Sequence, residues 1–408
     1  LAAEQIKGSQ AYGYMHVDFY EKDRNETGEW FAVENEAPIL TSFADKSRAI
    51  DLSTAQGCRT YWFDENDVQS SYTLNSPAEL RGFQVLSAEY DFDNVEIKLG
   101  KDIDLNPGWT ASATAPENVW TPIGRSAEDT SIVTPFKGTF NGQGHTIKGV
   151  YVYGSTEKLG LFSEVSGATI QDLELENSYI SGKDSTCKAV GSIVGTLDGT
   201  LDTVKSSAKV VLNNSEFAGG LVGNLVEGGQ GTLRNCWFAG SLSGLGGHHG
   251  TLIGGINKSG STVATKAVIE QCLSTGTIEY RVNAGGLVGT LWQKSTLEMT
   301  DTLFAGSFVD VSESPWGNYG TTIGNATNGT ATMSNVYVKA DAVVTETIGN
   351  AGNNKTQRDN ITTLAAEQIN GTAAYANMYV DFYDKDKNST GAWFAVENSH
   401  PILTSFAD

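Results

Sequence analysis

Gly220-Leu221-Val222-Gly223 returns 66 residues later as Gly286-Leu287-Val288-Gly289, and reading outward from these tetrads decides the fold. Variants of the same stretch stand at Gly160-Leu161-Phe162, Ser192-Ile193-Val194-Gly195, Thr251-Leu252-Ile253-Gly254 and Thr322-Ile323-Gly324. Each is followed by a second, shorter signature: Asp172-Leu173, Thr203-Val204, Asn235-Cys236, Gln271-Cys272, Asp301-Thr302 and Asn335-Val336. The second signature recurs after 31, 32, 36, 30 and 34 residues. Between the signatures lie Gly, Ser, Thr and Asn turns and short runs rich in β-branched residues, with no helical period. A unit of two or three short strands cannot bury its apolar face alone, whereas stacked units can. A parallel β-helix does so, with coils about 4.8 Å apart in the hydrogen-bonding direction.

The expected fold is therefore all-β: a right-handed parallel β-helix, or solenoid, with a short N-terminal capping helix and duplicated flanking β segments. The Leu173/Val204/Cys236/Cys272/Thr302/Val336 column reads as an inward ladder. The polar column before it reads as turn residues, since Asn and Asp bond turn backbone readily. Cys236 and Cys272 read as a reduced, buried stack, because coil spacing is short for a disulfide. Trp237, Leu273, Leu303 and Tyr337 form a further column that is apolar in the last four coils, and it reads as packing.

A second duplication frames the repeats. Residues 1–45 recur as 364–408 with 33 identities in 45 ungapped positions, which marks a duplicated module. The expected organisation is a flanking module at 1–45, a connecting segment at 46–75, the β-helix at 76–350 and the second flanking copy at 364–408. The opening Leu1-Ala2-Ala3-Glu4 lacks an initiator Met, and a chain continuing upstream is the expectation. An exposed strand edge invites pairing with another chain, so each end of the stack needs a cover. Ser76-Pro77-Ala78-Glu79 offers an N-cap Ser, a Pro at the first helical position and a Glu at the third. Leu80, Phe83, Val85 and Leu86 give that helix an apolar side. Residues 364–408 are expected to close the far end or to link it onward.

Composition narrows the function. The 408 residues carry 27 Lys+Arg against 48 Asp+Glu, a net charge of −21. Phosphate contacts need a basic surface, so nucleic acid is not an expected partner. No apolar run reaches the eighteen or so residues of a membrane span, and membrane insertion is not expected.

The order of motifs then resembles a family. Ile97-Lys98-Leu99-Gly100-Lys101-Asp102-Ile103-Asp104-Leu105 comes first, followed by Trp120-Thr121-Pro122-Ile123-Gly124. Phe136-Lys137-Gly138-Thr139-Phe140-Asn141-Gly142-Gln143-Gly144-His145-Thr146-Ile147 and the Gly-Leu-Val-Gly coils complete the series. Over residues 72–340 this is similar to the GLUG-repeat proteins of bacterial surfaces, including the repeat region of IgA1 metalloproteases. The resemblance implies a secreted or cell-surface bacterial protein whose β-helix acts as a stalk or binding surface. The family's protease needs His-Glu-x-x-His. None of His16, His145, His248, His249 and His400 begins that motif, so protease activity is not carried over.

Trp292, in Leu291-Trp292-Gln293-Lys294, and Trp316 with Tyr319, in Ser314-Pro315-Trp316-Gly317-Asn318-Tyr319, are the candidate ligand-binding residues. A loop Trp beside amides can stack on a sugar face, and the alternative is that it folds over a coil edge. Asp384, Asp386 and Asn388, with Glu21, Asp23 and Asn25 in the first copy, alternate oxygen side chains like a calcium loop. That pattern lacks the central Gly and the closing bidentate Glu, which favours a solvated hairpin tip. His145 reads as a turn histidine, and His248-His249 as an exposed loop. Asp102 and Asp104 read as structural, and no carboxylate pair with an attendant base appears in the coils. The reading is a non-catalytic extracellular module that binds glycan or host surface protein, or acts as a spacer, with no cofactor beyond a weak calcium site. The alternatives are a polysaccharide-degrading β-helix enzyme, hydrolase or lyase, which requires a pair of carboxyls across a groove, or a non-catalytic repeat region of an IgA1-protease-like protein.

Overall fold

The computed structural model describes residues 6–8, 11, 19–20, 27–33, 36–48, 59–60, 62–125, 133–213, 216–245, 247–280, 282–310, 317–342, 344 and 346–407. Their core is a parallel β-solenoid of about six coils, the number of strands in its separate side sheet. Every ladder of the stack is parallel, with register shifts at Asp198/Gly199, Gly320/Ile323 and Asn141/His145, so on either side of these equivalent residues of successive coils lie on one another. Ile97, Phe140, Ile170, Leu201, Leu233, Ile269, Met299 and Met333 form one such inward row. All eight are buried.

The polar column keeps its place for a backbone reason. Asp172, Thr203, Asn235, Gln271, Asp301 and Asn335 all have φ between 49° and 58°, the left-handed region. Each turns one corner of its coil, and the residue after it points inward. Leu173, Val204, Cys236, Cys272, Thr302 and Val336 are accordingly buried. Cys236 and Cys272 are free thiols in that row. Burial, followed by the neighbouring Cys236, pushes the Cys272 thiol up.

The glycine tetrads, with the glycine that stands just before them, turn another corner, where backbone approaches too closely for a Cβ. A Cβ at Gly219 would meet the Val222 carbonyl oxygen at 1.7 Å, and one at Gly223 would meet Gly195 O and Val190 N at 2.6 Å. Gly250/Gly254, Gly285/Gly289 and Gly320/Gly324 repeat this in the following coils.

Both ends of the stack are covered. The helix Pro77–Leu86 starts on Ser76, whose Oγ accepts from Glu79 N at 3.2 Å, while Glu79 Oε2 accepts from Asn75 N at 2.6 Å. Its Phe83 packs against Phe92, Phe136 and Phe140 at the mouth of the first coils. Val85, expected on the apolar side, is exposed, because the buried face runs through Leu80, Phe83 and Gln84. The far end is closed by the segment before 364, not by residues 364–408. There the short strands Glu346–Asn350 and Ile361–Leu364 flank a 3₁₀ segment. Buried Asn354 accepts from Ala331 N at 2.7 Å and donates to Ala326 O and Gly329 O, so it satisfies the open edge. Residues 364–408 instead dock on the side of the stack. Ile369, Met378, Trp393 and Leu403 bury themselves with Leu273, Leu303 and Tyr337 in one cluster. Tyr337 Oη accepts from Tyr379 N at 2.6 Å, and Phe406 meets Trp237 edge-on at 6.0 Å.

The crease makes a sharp prediction. Gly223→Ala should cost about 2–3 kcal/mol in chemical denaturation, since backbone must move to admit the methyl. Gly154→Ala, whose Cβ would find its nearest neighbour at 3.7 Å, should be neutral or stabilising. Equal effects at the two positions would sink the steric account of the tetrads.

Candidate functional site

The glycine corner is concave, and two outward rows face each other across it. One row runs Lys158, Ala189, Phe217, His248, Asn283, Asn318. The other runs Glu164, Thr196, Asn224, Gly255, Thr290, Asn325. The chemistry across this crease changes along the stack. In the first coil Lys158 and Glu164 form an ion pair across it. Farther on the Phe217 ring lies where a Gly255 Cβ would project. In the later coils amides and a histidine take over.

There Asn318 Nδ2 donates to Asn283 Oδ1 at 2.7 Å, and Asn283 Nδ2 donates to His248 Nδ1 at 3.2 Å. The His248 ring stacks on Phe217 and meets Trp292 edge-on at 5.4 Å. Asn224 Oδ1, Thr196 Oγ1, Thr290 Oγ1 and Trp292 Nε1 are buried without a hydrogen-bond partner among the described residues. The crease is thus a strip where rings and polar groups pack together, four of its polar atoms being buried without a hydrogen bond among the described residues.

His248 and His249 lie on the strand His248–Gly250, not in the exposed loop expected from the glycines around them. Alternation along the strand sends His248 to the crease and His249 inward, where its Nδ1 lies 3.1 Å from Glu279 O. Burial is the first cause that lowers both pKa values, each to about 4, with His249 lowering His248 further.

The sequence candidates are dispersed. Trp292 is half-buried beside His248, folded over the coil edge. Tyr319 sits one residue after Asn318, on the row of Ala284, and packs against the core. Trp316 lies outside the described residues, as do Glu21, Asp23 and Asn25. Asp384 Oδ1 accepts from Asp386 N at 2.9 Å and Lys387 N at 3.2 Å, which closes a hairpin tip. Asn388 Nδ2 turns away to Asp381 Oδ1 and Phe382 O. Among the described residues no three His, Cys, Asp or Glu side chains gather as metal ligands would.

His145 Nδ1 is 3.2 Å from Asp102 Oδ1, which also accepts from Thr146 N at 3.0 Å. That backbone bond is the main reason the Asp102 carboxyl sits below its usual range. Asp102 therefore ties its own coil to the next turn. Burial raises the Asp172 carboxyl, followed by neighbouring Asp202, but Asp172 is a corner residue of the left-handed column. The residues that sequence reading missed are Phe217, Asn224, Asn283 and Asn318. Their signal was present, since each stands a fixed number of residues from a tetrad, on the outward beat of a two-residue period.

No family model matches the chain. Halomucin of Haloquadratum walsbyi (strain DSM 16790 / HBSQ001) is 33% identical over 165 residues, which are 38% of this chain and 2% of halomucin. This chain therefore matches only a small part of that relative. A solved structure from Bacteroides ovatus, assigned provisionally as an immunoglobulin A1 protease, superposes with a TM-score of 0.55. It is 16% identical, with 83% of this chain and 92% of that one covered, and the likeness is one of fold. No described helix is long and apolar enough to cross a membrane.

The histidine of the crease gives a pH prediction. A folded-state pKa of about 4 against an ordinary 6.5 means that the unfolded chain binds more protons between those values. Stability is then complete above pH 6.5 and falls as pH drops toward 4, by at most about 3 kcal/mol per imidazole. Protonated His248 would also turn an N–H toward the Asn283 amide that donates to it. His248→Asn, which copies the residue of the next coil, should flatten the fall in melting temperature between pH 7 and pH 4.5. An unchanged profile would remove His248 from the account.

Proposed function

We propose that this chain is a non-catalytic β-solenoid module of an extracellular or cell-surface protein, and that it binds glycan along the crease near Trp292. The observation that carries this reading is half-buried Trp292, together with the half-buried amides Asn224, Asn283, Asn318 and Asn325 on superposed coils. Sugars suit such a surface, because their hydroxyls both donate and accept while their ring faces rest on aromatic rings. In the later coils the row repeats an amide, Asn283 and then Asn318, so an extended polymer would meet more than one. The net charge of −21 favours neutral or cationic ligands over polyanions.

The degradative reading has less support. A glycoside hydrolase sets two carboxyls roughly 5–10 Å apart across the bound sugar. Across the crease, the described carboxylate Glu164 faces Lys158 instead. A spacer role has an observation of its own, because the matched stretch of halomucin is a 2% fraction of a very long chain.

The test is a screen of the purified chain on a glycan and mucin array, with reducing-sugar release followed in parallel. Saturable binding is expected, without release, and Trp292→Ala should weaken it about tenfold or more, a loss near 1.4 kcal/mol. Release of sugar would overturn the non-catalytic reading. Silence in both arms would leave the spacer.

A further inference from the structure

Where the first flanking copy is described, its strand pairing repeats that of the second. Phe19 bridges to Trp30 as Phe382 bridges to Trp393. Trp30 pairs with Leu40 and Phe31 with Ile39, in the register of Trp393 with Leu403 and Phe394 with Ile402. A 3₁₀ turn follows in each, at Thr41–Phe43 and Thr404–Phe406. Gly28 and Gly391 both sit where a Cβ would meet the backbone of the preceding Phe at 2.2 Å.

Their surroundings differ. The second copy lays one face on the outward column of the solenoid, and Leu403 is 0% exposed there. The matching Leu40 of the first copy is 43% exposed and Phe43 is 80% exposed, while Phe406 is half-buried. Trp393 is fully buried, and Trp30 is only half-buried. Elsewhere among the described residues of the first copy Ala11, Phe19, Tyr20 and Phe31 are buried, and Tyr20 stacks on Phe31 at 5.7 Å.

Sequence differences between the copies spare the buried residues of that face. The twelve positions that differ (45 − 33) all match residues of the second copy that are not buried. Its nine buried residues, Ile369, Met378, Trp393 and Leu403 among them, are identical in the first copy. One half-buried residue of the face does change: Ala392, packed against the docked cluster, becomes Glu29. A module that met only solvent would have no packing reason to keep a Leu and a Phe so exposed.

We propose that residues 1–45 are a docking module, and that their occupant is the outward apolar column of a separate β-solenoid unit built like this one. That column consists of stacked large side chains in the manner of Trp237, Leu273, Leu303 and Tyr337, flanked by a cation as Lys205 flanks Trp237 at 4.8 Å. The column of this chain is already filled by residues 364–408, and so is that of any intact second copy. Repeated along an array of solenoids, the contact would clamp each unit to the next.

The test uses the full chain, with its own column as the probe. Leu403→Asp places a charge in the docked face and uncovers the column. Light scattering should then show head-to-tail self-association, as the first copy of one molecule occupies the opened column of the next. Adding Leu40→Asp to the same chain should restore the monomer, and the unaltered chain should be monomeric throughout. A monomeric Leu403→Asp chain, or association indifferent to Leu40→Asp, would overturn the proposal. So would an unaltered chain that dimerises through Leu40, since its partner surface would be something other than a vacant column.

A second variant guards against misfolding of Leu403→Asp. In it, residues 364–408 carry the sequence of 1–45. Its melting temperature should lie within about 3 °C of the parent, and strands 273–274 and 302–304 should keep their hydrogen-exchange protection. Loss of that protection would show that the first copy does not fit the column.

Discussion

A solenoid stands only if every coil turns its corners by the same angle, because one deviant corner would displace every strand beyond it. Here one of those corners is a single left-handed residue, repeated from Asp172 to Asn335. Left-handed backbone costs an ordinary L-residue about 1–2 kcal/mol and costs Asn and Asp less. Asp172, Asn235, Asp301 and Asn335 follow that preference, while Thr203 and Gln271 adopt the same φ without it. Those two are held by the coils above and below them, whose strands pair in register on both sides of the corner. Asn335 Nδ2 donates to Asp301 Oδ1 at 2.8 Å, so the corner also bonds along the stack.

The glycine corner meets the same demand by subtraction. Paired glycines let the chain crease until backbone touches backbone, and that leaves a concave strip with two walls. Once corners are uniform, the outward residues of each strand become a row, and the character of a row is decided coil by coil. The crease begins with a charge pair, passes through an aromatic ring and ends in amides. The column on another side begins with the Glu174–Lys205 ion pair and turns apolar at Trp237. The apolar part is where the C-terminal module rests. One repeat thus yields two different surfaces, a largely polar crease and an apolar strip on which the C-terminal module docks.

Much of this was legible in the sequence. The tetrads, their spacing and the polar column are local features, and each states a backbone requirement that only certain residues meet. The inward Leu173-to-Val336 row, the buried thiols and the capping helix followed from the same reasoning. So did the packing role of Trp237, whose apolar column had no place in a solvated wall.

What remained for the tertiary structure was direction and company. His248-His249 sits among glycines that suggest a loop, but pairing with Phe217 and Asn283 in neighbouring coils makes it a strand and buries both rings. The closing of the far end by Asn354, and the side-on docking of residues 364–408, depend on which surfaces meet in space. Periodicity records which residues are apolar and not what covers them. The two flanking copies make the point most plainly: Leu40 and Leu403 share their neighbours in sequence, yet one is 43% exposed and the other buried. Sequence alone determined the coil and its corners, because these are enforced within a few residues. Only the folded chain decided which faces are open, because burial belongs to pairs of surfaces that the sequence keeps far apart.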